Sequence, residues 1–274
     1  MHERQIAEIE REALLTAVFR RYGFDFREYA RGSISRRIRL SMQQENVATI
    51  SALQEKLLRD SACMNRFLLS LSISVTSMFR DPELYVSFRT CVVPQLRDLP
   101  FVRVWHAGCS TGQEAYSMAI LLQEEGLYPR CRIYATDMNE EVLDRAKTGI
   151  FPLDAARAYS ANYQKAGGKT FLADFYTARY ENAILHASLR DNIVFAQHNL
   201  VTDGSFNEFD LIFCRNVLIY FNRTLQDRVC QLFHDSLSPS GVLGLGKKET
   251  LDYFPRRNDY QEVDRIEKLY RRFR

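Results

Sequence analysis

The stretch RVWHAGCSTGQEAYSMAILL, residues 103–122, decides the fold class of this chain. It begins as a short apolar strand, is interrupted by Gly108 and Gly112, and continues with the spacing of a helix. A strand, a glycine-containing loop and a helix in this order are typical of α/β proteins that bind nucleotides. We therefore expect a nucleotide or nucleoside site at this loop.

Strands and helices alternate after this stretch. Residues 131–137, CRIYATD, predict a strand, and residues 139–149 predict a helix that is capped by Asn139 and ends at Gly149. Further strands are predicted within 191–200, 209–221 and 241–246, and a further helix is predicted within 223–237. The alternation predicts a largely parallel sheet with helices on both faces.

Two regions depart from this alternation. Residues 1–73 carry only helical spacing and predict a small all-helical N-terminal domain, followed by a linker at 74–90 and an α/β domain at 91–274. Residues at about 170–190 interleave aromatic and branched side chains with polar ones, which predicts a small antiparallel β insertion. The alternative for this second region is a loop with one strand.

Composition narrows the class of protein. The 274 residues are 46% hydrophobic, carry a net charge of +3, and contain no apolar run of the ~18–20 residues that span a bilayer. The charged N-terminus predicts a helix and not a signal peptide. The six cysteines form no C-x-x-C pair, so we expect reduced thiols in a cytoplasmic protein with neither a metal site nor disulfides.

Positive charge is concentrated near the N-terminus. Between residues 20 and 40 there are seven arginines against Asp25 and Glu28. This local excess favours an acidic partner, and a solvated helix face is the alternative.

The glycine loop lacks the residues that bind phosphates. It has no Lys after its second glycine, as a P-loop requires, and no middle glycine, as a dinucleotide fingerprint requires. Glu114, in the first turn of the next helix, would repel a pyrophosphate and suits a cationic ligand. Asp137, at the end of the second strand, is placed to accept hydrogen bonds from ribose hydroxyls, and a helix cap is its alternative role. Adenosine with an ammonium and a sulfonium but no phosphate describes S-adenosylmethionine.

Several segments together resemble one family. The chain is similar, over roughly residues 20–250, to the CheR-type chemoreceptor glutamate methyltransferases, and the segments that carry the resemblance are FRDPELY, WHAGCSTGQEAYS, ATDMNEEVLDRAKTGIF, HNL and FDLIFCRNVLIYF. The resemblance implies a Rossmann-like S-adenosylmethionine-dependent methyltransferase sheet with a small β insertion, after a helical domain that faces the receptor. It also implies methyl transfer to protein glutamates, which gives methyl esters and S-adenosylhomocysteine. A glutamate is already ionised at pH 7, so this chemistry needs neither a general base nor a metal.

The resemblance also implies roles for individual residues. Arg80 would orient the acceptor carboxylate and Tyr220 would place a hydroxyl near the transferring methyl group. Glu114 would meet the amino-acid end of the cofactor and Asp137 its ribose, while Asn199 and Leu200 would flank adenine and Asn216 and Val217 would lie along the cofactor. The full set of implied cofactor-binding residues is Ser74, Thr76, Arg80, Gly108, Glu114, Asp137, Asn199, Leu200, Asn216 and Val217. The alternatives are a bridge between the domains for Arg80 and plain core positions for Val217 and Tyr220.

The implied partner is a methyl-accepting chemoreceptor or a related signalling protein with acidic methylation helices. A monomer would dock on it through Arg31, Arg36, Arg37 and Arg39, without nucleic acid and without membrane insertion. The chain departs from the family pattern at Ser74, at Gln113 and Ala115 and at Lys247 and Lys248. These departures keep a second hypothesis open, a non-catalytic S-adenosylmethionine-binding adaptor or sensor. A small-molecule or nucleic-acid methyltransferase is a third and weaker one.

Overall fold

The computed structural model describes residues 2–71 and 76–274, with side chains from residue 5 onward. The chain divides into two compact units. The first comprises residues 1–73 and 217–229, and the second comprises residues 74–216 and 230–274. In the part of the chain that the structure describes, no helix is long and apolar enough to cross a membrane.

The first unit is built from helices. They are α1 (His2–Tyr22), α2 (Arg31–Gln44), α3 (Ile50–Arg59) and α4 (Ser61–Leu71). Leu14 of α1, Leu53 of α3 and Phe67 of α4 are almost fully buried, so burial of one apolar stripe per helix stabilises the unit. The expected all-helical N-terminal domain is confirmed.

A buried carboxylate joins three of these helices. Glu45, directly after α2, accepts hydrogen bonds from Lys56 of α3 at 3.0 Å and from Arg66 of α4 at 2.7 and 3.0 Å. The hydrogen bonds from Arg66 and then from Lys56 outweigh burial and lower the pKa of Glu45 to about 2. The segment 217–229 joins the same unit, where the Tyr220 carbonyl accepts a hydrogen bond from the Ala30 amide at 2.8 Å.

Helices and strands alternate through most of the second unit, as the sequence predicts. Its elements, together with the helix that follows residue 222, are α5 (Pro82–Cys91), α6 (Val93–Leu96), β1 (Val102–Ala107), α7 (Gln113–Glu124), β2 (Cys131–Asp137), α8 (Glu140–Thr148), β3 (Ile150–Pro152), α9 (Ala156–Lys165), β4 (Tyr176–Arg179), β5 (Asn182–Leu185), β6 (Ile193–Gln197), β7 (Phe209–Cys214), α10 (Arg223–Ser236), β8 (Leu237–Leu245), β9 (Tyr260–Asp264) and β10 (Leu269–Arg272).

The main sheet has seven strands in the order β6-β2-β1-β7-β8-β10-β9. The first five strands in this order are parallel, and β10 is antiparallel to both of its neighbours. Ala107 pairs with Thr136, and His106 pairs with Phe213, so β1, β2 and β7 end at the same edge of the sheet. In open α/β sheets, ligands bind beyond the carboxyl ends of the parallel strands. We therefore expect the ligand site at the edge formed by β6, β2, β1 and β7.

A second, small sheet confirms the β insertion. Its three strands run antiparallel in the order β3-β5-β4, and both β4 and β5 lie between residues 170 and 190. The alternative of a loop with a single strand is wrong. The third strand, β3, lies outside the predicted range because three residues are too few to show an alternating pattern.

Candidate functional site

The loop between β1 and α7 has a strongly curved backbone. Gly108 (φ +76°), Ser110 (φ +50°) and Gly112 (φ +86°) all lie in the left-handed region. The amides of Gly108 and Cys109 both donate to the carbonyl oxygen of Thr136, each at 2.8 Å. The loop is thus held against the end of β2, where Asp137 follows.

Gly112 is required by a close approach as well as by its φ. A Cβ atom at this position would lie 3.0 Å from the Cβ of Ala146 in α8 and 3.2 Å from a ring carbon of Phe195 in β6. Helix α7 begins immediately afterwards, with Gly112 as its N-cap residue. The glycine therefore lets the start of α7 pack closely against its neighbours.

Asp137 is 9% exposed and is held by the backbone. One carboxylate oxygen accepts from the Ser110 amide at 3.0 Å and the other from the Asn139 amide at 3.1 Å. Burial raises the pKa of Asp137, and these backbone hydrogen bonds oppose the rise. The alternative role of Asp137 as a helix cap is wrong, because the cap of α8 is Asn139, whose Oδ1 accepts from the Glu141 amide at 3.0 Å.

Acceptor capacity remains at Asp137. The carboxylate has about four lone-pair sites, and three backbone amides, those of Ser110, Asn139 and Met138, use part of them. The nearby hydroxyl of Ser110 is buried and has no hydrogen-bond partner among the described residues. A ligand with vicinal hydroxyl groups fits this combination.

Glu114 is at the centre of a charge cluster. One oxygen lies 3.2 Å from Nδ1 of His106, and the other accepts from Nη1 of Arg215 at 2.6 Å. The second terminal nitrogen of Arg215 donates to the Asp81 carboxylate at 2.5 Å. Burial opposes ionisation of Glu114, but the charge of Arg215 and the hydrogen bond with His106 outweigh it and lower its pKa to about 2. Two carboxylates against one guanidinium leave the cluster negative, which suits a cation that carries no phosphate.

The segment around Arg80 is strained and well anchored. Its neighbours Phe79 (φ +50°) and Asp81 (φ +53°) both have left-handed backbone, which costs about 1–3 kcal/mol per residue. The Phe79 amide donates to the hydroxyl of Ser117 at 2.9 Å, and the Arg80 carbonyl accepts from Arg215 at 3.4 Å. Strain of this kind persists where the surroundings fix the backbone, as they do at functional sites.

Three of the remaining predicted cofactor residues lie at the edge of the sheet described above. Asn199, Leu200 and Asn216 follow the ends of β6 and β7, at the same edge as Gly108 and Asp137. Asn216 (φ +62°) is held by its amide, which donates to Glu249 at 3.0 Å.

Val217 and Tyr220 belong to the first unit, in the segment 217–229. Thr76 is half-buried, and Ser74 lies outside the described residues.

The four predicted docking arginines do not share one environment. Arg31, Arg36 and Arg39 are exposed on α2, whereas Arg37 is half-buried. Arg31 forms an ion pair with Glu8 of α1.

Sequence reasoning missed the side chains that fix Glu114 and Asn216. They are His106, Arg215 and Glu249, together with Asp81, which binds Arg215. Arg215 directly precedes Asn216 in the segment that carried the resemblance, and this adjacency was the available signal. Within the described residues, no group of three or more His, Cys, Asp and Glu side chains is placed to hold a metal ion.

Comparison with known proteins identifies the family. Residues 74–266 match the description "CheR methyltransferase, SAM binding domain", and residues 9–72 match "CheR methyltransferase, all-alpha domain". Cher3 of Pseudomonas putida is 48% identical over 97% of this chain and 97% of its own length. A chemotaxis protein methyltransferase of Listeria innocua is 30% identical over 90% of this chain and 92% of its own length.

A third relative is much longer than this chain. It is an uncharacterised 104.1 kDa protein of Rhodobacter capsulatus, 34% identical over 83% of this chain and 24% of its own length. The two family matches cover most of the sequence and agree with the helical unit and the α/β sheet. The chain therefore belongs to the CheR family of S-adenosylmethionine-dependent methyltransferases.

Proposed function

We propose that this chain transfers the methyl group of S-adenosylmethionine to glutamate side chains of a chemoreceptor-like signalling protein. The products are glutamate methyl esters and S-adenosylhomocysteine. The observation that supports this most directly is the negative cluster of Glu114, Asp81 and Arg215, at a strand edge that also carries Asp137. The name of the Listeria relative, a chemotaxis protein methyltransferase, supports the choice of partner.

The chain's own residues suit each part of the cofactor. The remaining acceptor capacity of Asp137 would serve the ribose hydroxyls, and ionised Glu114 would attract the ammonium. Asn199 and Leu200 are proposed beside adenine. Asn216 and Val217 are proposed along the cofactor, and Ser74, Thr76, Arg80 and Gly108 complete the proposed set.

The reaction requires orientation more than acid–base chemistry. Bound S-adenosylmethionine supplies an activated methyl group. Transfer of this methyl group to an ionised carboxylate releases no proton. A guanidinium binds a carboxylate through charge-assisted hydrogen bonds, so Arg80 is proposed to aim the acceptor glutamate. Tyr220 is proposed to place its hydroxyl near the methyl group, and both roles rest on the family resemblance.

The partner is proposed to be acidic. Exposed Arg31, Arg36 and Arg39 on α2 would attract an acidic methylation helix, and half-buried Arg37 would contribute less. We further propose that the enzyme acts as a monomer in the cytoplasm, where six free thiols stay reduced.

A labelling experiment tests the proposal. The full chain, incubated with methyl-labelled S-adenosylmethionine and membranes that contain chemoreceptors, should give a base-labile label on the receptors. Arg80→Gln should lower the initial rate at least tenfold, and Arg36→Glu should raise the KM for the receptor. The matched control is Arg145→Gln, which removes an exposed arginine paired with Glu141 on α8 and should change neither value.

Two results would contradict the proposal. One is the absence of base-labile label on any receptor while S-adenosylhomocysteine binds normally, which would favour the adaptor or sensor hypothesis. The other is an unchanged rate for Arg80→Gln, which would return Arg80 to a purely structural role.

A further inference from the structure

His106 has an unusual position for a polar residue. It lies within β1, is 1% exposed, and stacks on Phe213 of β7 with ring centroids 5.3 Å apart and an interplanar angle of 13°. Its Nδ1 lies 3.2 Å from Oε1 of Glu114, and its Nε2 has no hydrogen-bond partner among the described residues. An apolar ring at this site would avoid the cost of a buried, unpartnered nitrogen.

The contact with Glu114 fixes the tautomer of His106. The carboxylate is ionised, since its pKa is about 2, and an ionised carboxylate only accepts hydrogen bonds. Nδ1 therefore carries the proton and donates it to Oε1.

This hydrogen bond sets the plane of the carboxylate. Arg215 holds Oε2 at 2.6 Å, and a single donor leaves the carboxylate free to turn about that contact. The second donor, on Oε1, removes this freedom. The Glu114 side chain remains 19% exposed, so a ligand can reach a carboxylate whose orientation is already fixed.

We propose that His106 is a positioning residue, which orients the Glu114 carboxylate toward the ammonium at the amino-acid end of the cofactor. The inference rests on the proposed role of Glu114 in cofactor binding. His106 contacts Glu114 and is not proposed to contact the cofactor. Replacement of His106 should therefore lower the affinity for ligands that have the amino-acid end and leave the affinity for ligands that lack it unchanged.

Calorimetric titration of the full chain with two ligands tests the proposal. S-adenosylhomocysteine carries the amino-acid end, and methylthioadenosine lacks it. His106→Leu should raise the Kd for S-adenosylhomocysteine about tenfold, as expected for one hydrogen bond to a charged group, and should change the Kd for methylthioadenosine less than twofold. His106→Asn retains an N–H donor near the position of Nδ1 and should restore most of the affinity.

A double-mutant cycle separates positioning from packing. In a Glu114→Gln background, His106→Leu should add less than a threefold loss, because the acceptor that it orients has lost its charge. Equal losses for both ligands, or an equal loss in both backgrounds, would overturn the proposal in favour of a packing role. An unchanged Kd for S-adenosylhomocysteine in His106→Leu would also overturn it. A wild-type chain that binds neither ligand would instead overturn the proposed function.

Discussion

Replacement of Arg215 by Met tests the electrostatic design of the site. The Arg215 side chain is 1% exposed and is the cation shared by Glu114 and Asp81. The fall of the Glu114 pKa from 4.5 to about 2 corresponds to about 3 kcal/mol in favour of the carboxylate, at 1.36 kcal/mol per pH unit. Loss of one partner from a buried ion pair typically costs 3–5 kcal/mol. Because Asp81 is 30% exposed and keeps part of its hydration, we expect about 3 kcal/mol of destabilisation at pH 7.5.

The pH dependence of this loss has a definite sign. In the wild-type chain, the depressed pKa of Glu114 contributes stability above about pH 4.5, and this contribution is lost as the pH falls toward about 2. Without Arg215, burial remains and raises the pKa of Glu114, so mild acid protonates the carboxyl group and relieves the folded state. The difference in stability between wild type and Arg215→Met should therefore shrink between pH 7.5 and pH 5.

Urea unfolding followed by the fluorescence of Trp105 measures this difference. Trp105 is the single tryptophan, lies fully buried in β1, and reports on the sheet that carries the site. Arg145→Met is the matched control. It removes an exposed arginine that pairs with Glu141 at 2.6 Å and should cost less than about 0.5 kcal/mol. A loss below 1 kcal/mol for Arg215→Met, or a loss that does not shrink in acid, would refute the reasoning.

Two further predictions concern the loop and the helical unit. Gly112→Ala should destabilise the chain by about 1–3 kcal/mol in the same urea titration and should weaken the binding of S-adenosylhomocysteine. The control is Gly126→Ala, because Gly126 has a similar φ (+70°) but no neighbouring atom near the added Cβ, so that only the smaller backbone cost is expected. Glu45→Gln should lower the thermal unfolding temperature at pH 7. The difference from wild type should disappear as the pH falls from about 4.5 to about 2, because the hydrogen bond from Arg66 lowers the pKa of Glu45 to about 2. Exposed Glu55→Gln, scanned beside it by circular dichroism, should show neither effect; a pH-independent loss for Glu45→Gln would argue for packing alone.

The elements that the sequence predicts well are those with strong local signals. The strand at residues 131–137 has the predicted bounds because apolar and branched residues continue up to Asp137. Asn139 caps α8 through its side chain, and Gly149 ends that helix with φ +65°. These signals depend on residues within one or two turns of one another, so a single sequence contains them.

The C-terminal hairpin shows where local signals fail. Strands β9 and β10, at residues 260–264 and 269–272, carry Gln, Glu, Asp and Arg side chains and are partly exposed at the end of the sheet. Their alternation is weak because one face of such strands remains in contact with water. Pairing of β10 with β8 and of β9 with β10 stabilises them, and the partners of β10 in β8 lie about 27 positions earlier in the chain.

The charge of Glu114 is the clearest case of a property that the sequence alone could not give. The position of Glu114 in the first turn of α7 predicts an acid without a charged partner, which would attract a cation. The structure pairs it with Arg215, which lies 101 positions away and reaches it through the parallel pairing of β1 with β7. The preference for a cation survives only because Asp81 adds a second carboxylate to the same guanidinium.

Arg215 also holds the segment that carries Arg80. Its guanidinium contacts the Arg80 carbonyl and the Asp81 carboxylate as well as Glu114, so one side chain fixes both the strained segment that carries Arg80 and the acid at the start of α7. The left-handed backbone at Phe79 and Asp81 stores strain that such contacts must offset. The residue proposed to aim the acceptor and the residue proposed to bind the cofactor's ammonium are thus oriented by a common anchor. A change at Arg215 should therefore impair cofactor affinity and acceptor methylation together, whereas a change at His106 should act first on cofactor affinity.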